Sequence, residues 1–238
     1  MEDYYAHVNP PDDPPKDMEK VKSKLGGAHF SIGSKLPSTT FKEFAHAHSP
    51  PGGETEFRIG LGDFLSKALQ AHGIELPGRR WIHYKADDEI VPFQFLKINY
   101  ESKETWQLAT DYLRCNPNFY NSPRYDFVIF YTAASPVFAQ LKYLLVTEVG
   151  GEKYPIAYVQ SYKVISMGRR TQSDRHFGIL RVQKEKLEFI SVHSIIWGAL
   201  VAHSLLEDSD ERLVVDTVDY DMFLRVRSHW PGYTDITA

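Results

Sequence analysis

The sequence predicts a mainly-β (α+β) fold, either a twisted antiparallel sheet or a small barrel, with two or three helices at its periphery. Three observations predict it. Short runs of β-branched and aromatic residues, separated by turn residues, recur along most of the chain. Helical periodicity is confined to a few segments. The chain of 238 residues is long enough to bury a substantial core. We expect one mainly-β domain over residues 57–238.

Residues 1–56 differ in composition from the rest of the chain. The stretches "NPPDDPPKD" and "HSPPGGE" flank a lysine-rich segment with few apolar runs. Such a segment buries too little apolar surface to offset the entropy lost on ordering. We therefore predict a flexible, proline-rich arm over 1–56, with one short helix around 18–25.

Two segments show helical patterns. In the first, Phe57, Leu61, Leu65 and Leu69 fall on one helical face, and Gly73 can end the helix. In the second, "SKETWQLATDYLRC" offers Ser102 as N-cap, before an Asn-Pro stop. We predict helices at both places.

Nearly all other segments after residue 57 have strand-like patterns. The predicted strands are 80–85, 93–100, 125–132, 138–148, 153–164, 177–182, 187–192, 212–218 and 222–226. The segment "SIIWGALVAH" fits a helical turn as well as a strand.

The segment "FAQLKYLLVTEVGGEKYPIAYVQSYKV" predicts a hairpin over 138–164. Its Gly-Gly loop permits the positive φ angles of a primed turn. This turn sets the register that pairs Val149 with Glu152, Thr147 with Tyr154, Leu145 with Ile156 and Tyr143 with Tyr158. Because proline has no N–H group, we also predict that the second strand is an edge, or bulged, near Pro155.

Composition excludes several functional classes. The single cysteine, Cys115, rules out an intrachain disulfide framework and a cysteine-based zinc site. No apolar run approaches the roughly 20 residues of a membrane span. The acidic N-terminal stretch is unlike a secretory signal. We expect an intracellular protein that has no membrane partner and no cofactor, and a nuclear location is compatible with these features.

An acidic segment, "LLEDSDERLVVDTVDYDMF", suggests one enzymatic hypothesis. On a strand, Asp219 and Asp221 would share a face, and Asp216 would supply a third carboxylate, as in metal-dependent nucleases. The competing interpretation is a polar loop followed by a turn between two strands. A divalent-metal nuclease or transposase-derived enzyme is therefore the alternative hypothesis.

A basic segment, 163–186, leads to the preferred hypothesis. It carries seven positive and two negative side chains, a local charge of +5, whereas the whole chain has a net charge of −4. Its guanidinium groups at Arg169, Arg170, Arg175 and Arg181 suit phosphates or acidic partners. We predict a non-catalytic interaction module that binds a protein or nucleic-acid partner through this loop.

Four phrases together carry a resemblance: "FLKINYESKETWQLATDYLRCNPNFYNSPRYDFVIF", "YPIAYVQSYK", "EFISVHSIIWGALV" and "VVDTVDYDMFLR". Over residues 80–227 the chain resembles uncharacterised proteins of mushroom-forming fungi associated with Kyakuja-Dileera-Zisupton-type transposons. The resemblance implies a mobile-element origin and transfers no catalytic residue. The order of strand, hairpin, basic loop and final segment also resembles a bromo-adjacent-homology (BAH) domain. That resemblance implies a β-barrel chromatin module that binds histones or other proteins.

Overall fold

The structure, a computed structural model, describes residues 18–19, 29–165, 171–203 and 210–230. Within these ranges the strands are β1 (Met18–Glu19), β2 (Phe30–Lys35), β3 (Thr39–Thr40), β4 (Glu89–Glu101), β5 (Leu108–Phe119), β6 (Ser122–Tyr125), β7 (Phe127–Tyr131), β8 (Pro136–Val149), β9 (Glu152–Val164), β10 (Leu180–Ser191), β11 (Ile195–Ala199), β12 (Val201–His203) and β13 (Glu211–Val214). The α-helices are α1 (Phe41–His48), α2 (Gly53–Ala71), α3 (Gln172–Phe177) and α4 (Tyr220–His229). The predicted mainly-β fold with accompanying helices is confirmed.

Strand β8 is the centre of the antiparallel sheet. β9 pairs with one edge of β8, while β7 and β4 pair with successive parts of its other edge. β11 pairs with β7, and β5 pairs with β4, so the sheet curls into a half-barrel. Within the described ranges, β5 and β11 form no ladder with each other. This opening between β5 and β11 is the seam of the half-barrel.

Among the described residues, three apolar clusters hold the sheet and the helices together. The first fills the curl of the half-barrel and includes Leu96, Leu113 and Ile195. The second lies beneath α1 and α2, and the third packs α4 against the sheet through Met222 and Val226. The helices therefore cover parts of the sheet surface, and the first turn of α4 lies beside the seam.

The hairpin prediction is confirmed in detail. All four predicted pairs are present, and Gly150 and Gly151 have φ angles of 62° and 80°. Pairing of β9 with β10 reaches Ile156 and goes no further toward the turn, so Pro155 lies on an edge. The missing N–H group of proline explains why this pairing stops there.

The predicted arm over 1–56 is wrong for its described part from residue 29 onward. β2 and α1 lie in this segment, and Phe30, Ile32, Phe41 and Phe44 are each at most 3% exposed. A capping box at Thr40 and Glu43 begins α1. The predicted helix at 18–25 is wrong at Met18–Glu19, which pair with β2, and 20–25 lie outside the described residues.

Two segments have the opposite secondary structure to the predicted one: a predicted helix is a strand, and a predicted strand is a helix. The second predicted helix is largely β5, because Ala109, Asp111 and Leu113 alternate with Thr110 and Tyr112 at the period of a strand. Conversely, the predicted strand 222–226 belongs to α4, where Met222 and Val226 share a buried helical face. The first predicted helix is confirmed as part of α2. The predicted strand 80–85 is absent, because these residues form a loop before β4.

Candidate binding cleft at the seam of the half-barrel

A cleft of about 260 Å³ opens at the seam and wraps around the edge of β5. Its walls come from β4, β5, β6, β7, β11 and the start of α4. The lining residues include four carboxylates and several aromatic side chains: Asp111, Asp126, Asp219, Asp221, Tyr100, Tyr112, Phe127 and Trp197. Among the described residues that line this cleft, Arg124 is the one with a basic side chain.

Asp111 connects the two strands that flank the seam. Its Oδ2 accepts a hydrogen bond of 2.6 Å from the backbone N–H of Gly198 on β11, and its Oδ1 accepts one of 3.1 Å from the Tyr100 hydroxyl. Burial raises the pKa of Asp111, the two hydrogen bonds oppose the rise, and the negative charges of Asp219 and Asp221 add to it. Burial and the neighbouring Asp111 also raise the pKa of Tyr100. The cleft thus has an excess of negative potential around Asp111.

Asp219 and Asp221 enter the cleft from the first turn of α4. Asp219 is the N-cap of this helix and accepts a 2.6 Å hydrogen bond from the backbone N–H of Met222. Asp221 accepts hydrogen bonds from Arg225 and from the backbone N–H of Lys103. Burial alone would raise the pKa of Asp221, but these hydrogen bonds outweigh it and lower the pKa. Asp221 therefore stays ionised, and its negative charge is balanced within the fold by Arg225.

Arg225 is a buried cation that contacts three residues of the cleft lining, Tyr100, Trp197 and Asp221. Its guanidinium carbon lies 4.9 Å from the centre of the Tyr100 ring and 4.3 Å from that of Trp197. It also donates a hydrogen bond to the backbone carbonyl of Glu101. Arg225 thus ties α4 to β4 and β11 through cation–π contacts and hydrogen bonds.

The ion pairs of the cleft leave two carboxylates without a cation. Arg124 pairs with Asp126 at 3.0 Å, and Arg225 pairs with Asp221. In the part of the chain that the structure describes, neither Asp111 nor Asp219 has an ion-pair partner. These two side chains are the ones able to bind an incoming cation.

The carboxylates of the metal hypothesis do not all meet. Asp219 and Asp221 line the cleft, whereas Asp216 lies outside its lining, with its Oδ2 at 3.8 Å from Nε of Arg227. Burial raises the pKa of Asp216, and Arg227 opposes the rise. Among the described residues, no group of three or more His, Cys, Asp or Glu side chains is placed to hold a metal ion.

The basic segment is described only in part. Arg169 and Arg170 lie outside the described residues, and Arg175 lies in α3 with a side chain that the structure does not describe. Nε of Arg181 is 2.8 Å from Oδ1 of Asp174, and its Nη1 is 3.7 Å from Oε2 of Glu211. Arg181 therefore links α3, β10 and β13, and a partner would compete with both carboxylates for its guanidinium.

Sequence reasoning missed the central residue of the cleft. Asp111 falls in the segment that the sequence predicts as a helix, and an aspartate on the polar side of a peripheral helix does not indicate a buried site. In strand register it lies between Ala109 and Leu113, on the face that otherwise turns to the core. A carboxylate on the core-facing side of an alternating strand is the signal that could have found the site.

Comparisons of the chain with family models, curated proteins and solved structures find no match. The resemblances to transposon-associated fungal proteins and to BAH domains therefore stay predictions. No helix in the described ranges is both long enough and apolar enough to cross a membrane.

Proposed function

We propose that this chain is a non-catalytic interaction module that takes a basic side chain of a protein partner into the seam cleft. The observation that carries the proposal is the pair of carboxylates, Asp111 and Asp219, that line this cleft and form no ion pair with any cation among the described residues. A lysine or arginine from a partner would supply the missing charge. It would also lower the raised pKa of Asp111 by favouring the ionised form.

The size and rim of the cleft fit a side chain better than a whole cofactor. Its volume of about 260 Å³ lies below the roughly 300–1,000 Å³ of pockets that enclose drug-sized ligands. At the rim, Leu200 and Val218 are 47% and 52% exposed. They offer apolar contacts to the aliphatic stem of a lysine or arginine whose charged end lies among the carboxylates.

The resemblance to chromatin modules points to the kind of partner. It implies a chromatin-type protein, and a lysine- and arginine-rich segment of such a protein has the charge that the cleft requires. Binding of a protein or nucleic acid through Arg169, Arg170, Arg175 and Arg181 stays a separate prediction. So does the metal-dependent enzyme that would use Asp216, Asp219 and Asp221.

The proposal is tested by titrating the full chain into a fluorescein-labelled peptide that alternates lysine with serine, and following anisotropy. Asp111→Asn and Asp219→Asn each remove a charge, and asparagine keeps a hydrogen-bonding amide and the ability to cap α4. Because charged hydrogen bonds contribute about 1.5–3 kcal/mol, we expect each variant to weaken binding about tenfold or more. Asp87→Asn makes the same charge change on an exposed loop residue outside the cleft and is the matched control.

The affinity should also fall as salt is added, because the attraction is between charges. A peptide with glutamate in place of lysine should not bind. Equal affinities for the cleft variants and the Asp87 control, or equal binding of the two peptides, would refute the proposal.

A further inference from the structure

The edge of β5 that is turned away from β4 carries unpaired backbone groups. The N–H of Arg114 donates to Oδ2 of Asp126 at 2.7 Å, and its carbonyl accepts a hydrogen bond of 2.9 Å from the N–H of Asp126, so both groups point away from β4. Backbone groups point alternately to the two edges of an antiparallel strand, so those of Leu108, Thr110 and Tyr112 point the same way. Among the described residues, no ladder or other hydrogen bond reaches them.

This free edge is exposed and lies beside the seam cleft. Leu108 and Tyr112 are 77% and 45% exposed. Tyr112 lines the cleft together with its neighbours Asp111 and Leu113. A row of unpaired N–H and C=O groups at an accessible edge is a template for one more strand.

Strand β11 comes close to β5 without occupying that edge. A Cβ added to Gly198 would lie 2.8 Å from Cδ2 of Leu113 and 3.1 Å from Oδ2 of Asp111. Both side chains belong to the core-facing side of β5, so β11 packs under that side. The backbone edge of Thr110 and Tyr112 therefore stays free beside it.

Asp111 determines which strand can be added. The backbone groups of Asp111 point toward β4, so a residue opposite it on an added antiparallel strand would form a non-hydrogen-bonded pair with it. The side chains of such a pair share a face, with Cβ atoms about 4.5–5.5 Å apart. An apolar residue there would bury the carboxylate without a partner, which is costly. A lysine or arginine would instead reach Asp111 and, in the same cleft, Asp219.

We infer that the partner of the seam cleft binds as an extended segment that adds an antiparallel strand to the free edge of β5, with a lysine or arginine opposite Asp111. The strand addition rests on the proposed function, because this basic side chain is the one taken into the cleft. The residues before and after it exchange backbone hydrogen bonds with Thr110 and Tyr112. The ladders among the described strands are all antiparallel, which favours this direction. Main-chain bonds provide affinity, and the alternate side chain provides specificity.

The test compares two backbone-methylated forms of the labelled lysine–serine peptide in anisotropy titrations with the full chain. When a lysine lies opposite Asp111, N-methylation of the serine amides blocks the donors to Thr110 and Tyr112. N-methylation of the same number of lysine amides places the methyl groups on the far edge of the peptide and is the matched control. We expect serine methylation to lower the affinity at least about fivefold, because carbonyls of the β5 edge lose their donors, and lysine methylation to lower it less than about twofold.

Two variants of the protein test the same edge from the other side. Tyr112→Pro removes one outward N–H and spares the ladder with β4, a place where an edge strand tolerates proline. Tyr112→Val also removes the ring but keeps the N–H, so it is the matched control. We expect the proline variant to bind the unmethylated peptide at least about threefold more weakly than the valine variant. If the proline variant does not fold, the methylated peptides decide.

The outcomes separate strand addition from the proposed function. If Asp111→Asn and Asp219→Asn weaken binding while the two methylated peptides bind alike, or lysine methylation weakens binding more, the cleft takes a basic side chain but the strand addition is refuted. If the unmethylated peptide does not bind, or the two cleft variants bind like wild type, both are overturned. A dimer in sedimentation velocity that forms with Tyr112→Val and is lost with Tyr112→Pro would assign the edge to a second copy of this chain, and would also refute the inference.

Discussion

Asp111 links the strands on both sides of the seam, because it accepts hydrogen bonds from Gly198 on β11 and from Tyr100 on β4. Burial at the same time disfavours its charged form. A carboxylate with a raised pKa binds its proton more tightly in the folded protein than in the unfolded chain. Its contribution therefore lowers the free energy of unfolding as the pH rises above about 4, the ordinary pKa of aspartate. The decline ends once the pH passes the folded-state pKa.

Asp111→Asn removes this titration, so the free energy of unfolding of the variant should rise relative to that of wild type as the pH increases from 4 toward 7. The relative gain cannot exceed about 1.4 kcal/mol per pH unit, the value for one proton. Urea unfolding at a series of pH values measures it, with Asp87→Asn as the control that should show no such trend. A difference that is constant with pH would mean that the pKa of Asp111 is not raised.

At the scale of elements, the turn of the β8–β9 hairpin depends on backbone conformation alone. Gly151 has a φ of 80°, and a Cβ added there would meet no atom within 4 Å. Gly151→Ala should therefore destabilise the protein by about 1–2 kcal/mol through the left-handed conformation rather than through a clash. Gly151→Asn should cost less, since asparagine tolerates this region. Urea unfolding of both variants measures the difference, and equal losses would contradict a conformational cause.

The elements also show how far local pattern reasoning reaches. The β8–β9 register could be predicted because the turn, the apolar face and Pro155 all indicate the same pairing. β5 and α4 could not, because short segments with apolar residues at 106, 109 and 113, or at 222 and 226, satisfy more than one period. Tertiary packing decides between the periods: Leu113 fills the curl of the half-barrel, while Met222 and Val226 pack α4 on the sheet. The cleft was missed for the same reason, since its central Asp111 lies on the misassigned strand.

At the scale of the whole molecule, charge segregates by folding rather than by sequence segment. Asp111 and Asp126 come from the middle of the chain, and Asp219 and Asp221 come from near its end, yet they line one cleft. A count of charges along the chain therefore found the 163–186 segment and missed the acidic cleft.

The folded unit also extends further toward the N-terminus than composition predicts. Phe30, Ile32, Phe41 and Phe44 are buried in two different clusters. At about 1.5–3 kcal/mol for each buried side chain, they contribute on the order of 6–12 kcal/mol. That is comparable with the roughly 5–15 kcal/mol that separates most folded domains from their unfolded chains.

A fragment of residues 57–238 should therefore lose its cooperative unfolding transition. Circular dichroism, recorded as urea is added, measures that transition. A fragment of 18–238 keeps all four side chains and β1, and it should retain a cooperative transition. If the 57–238 fragment unfolds cooperatively at the wild-type urea midpoint, these four side chains are dispensable. Composition misjudges this segment because its apolar residues are few but almost wholly buried.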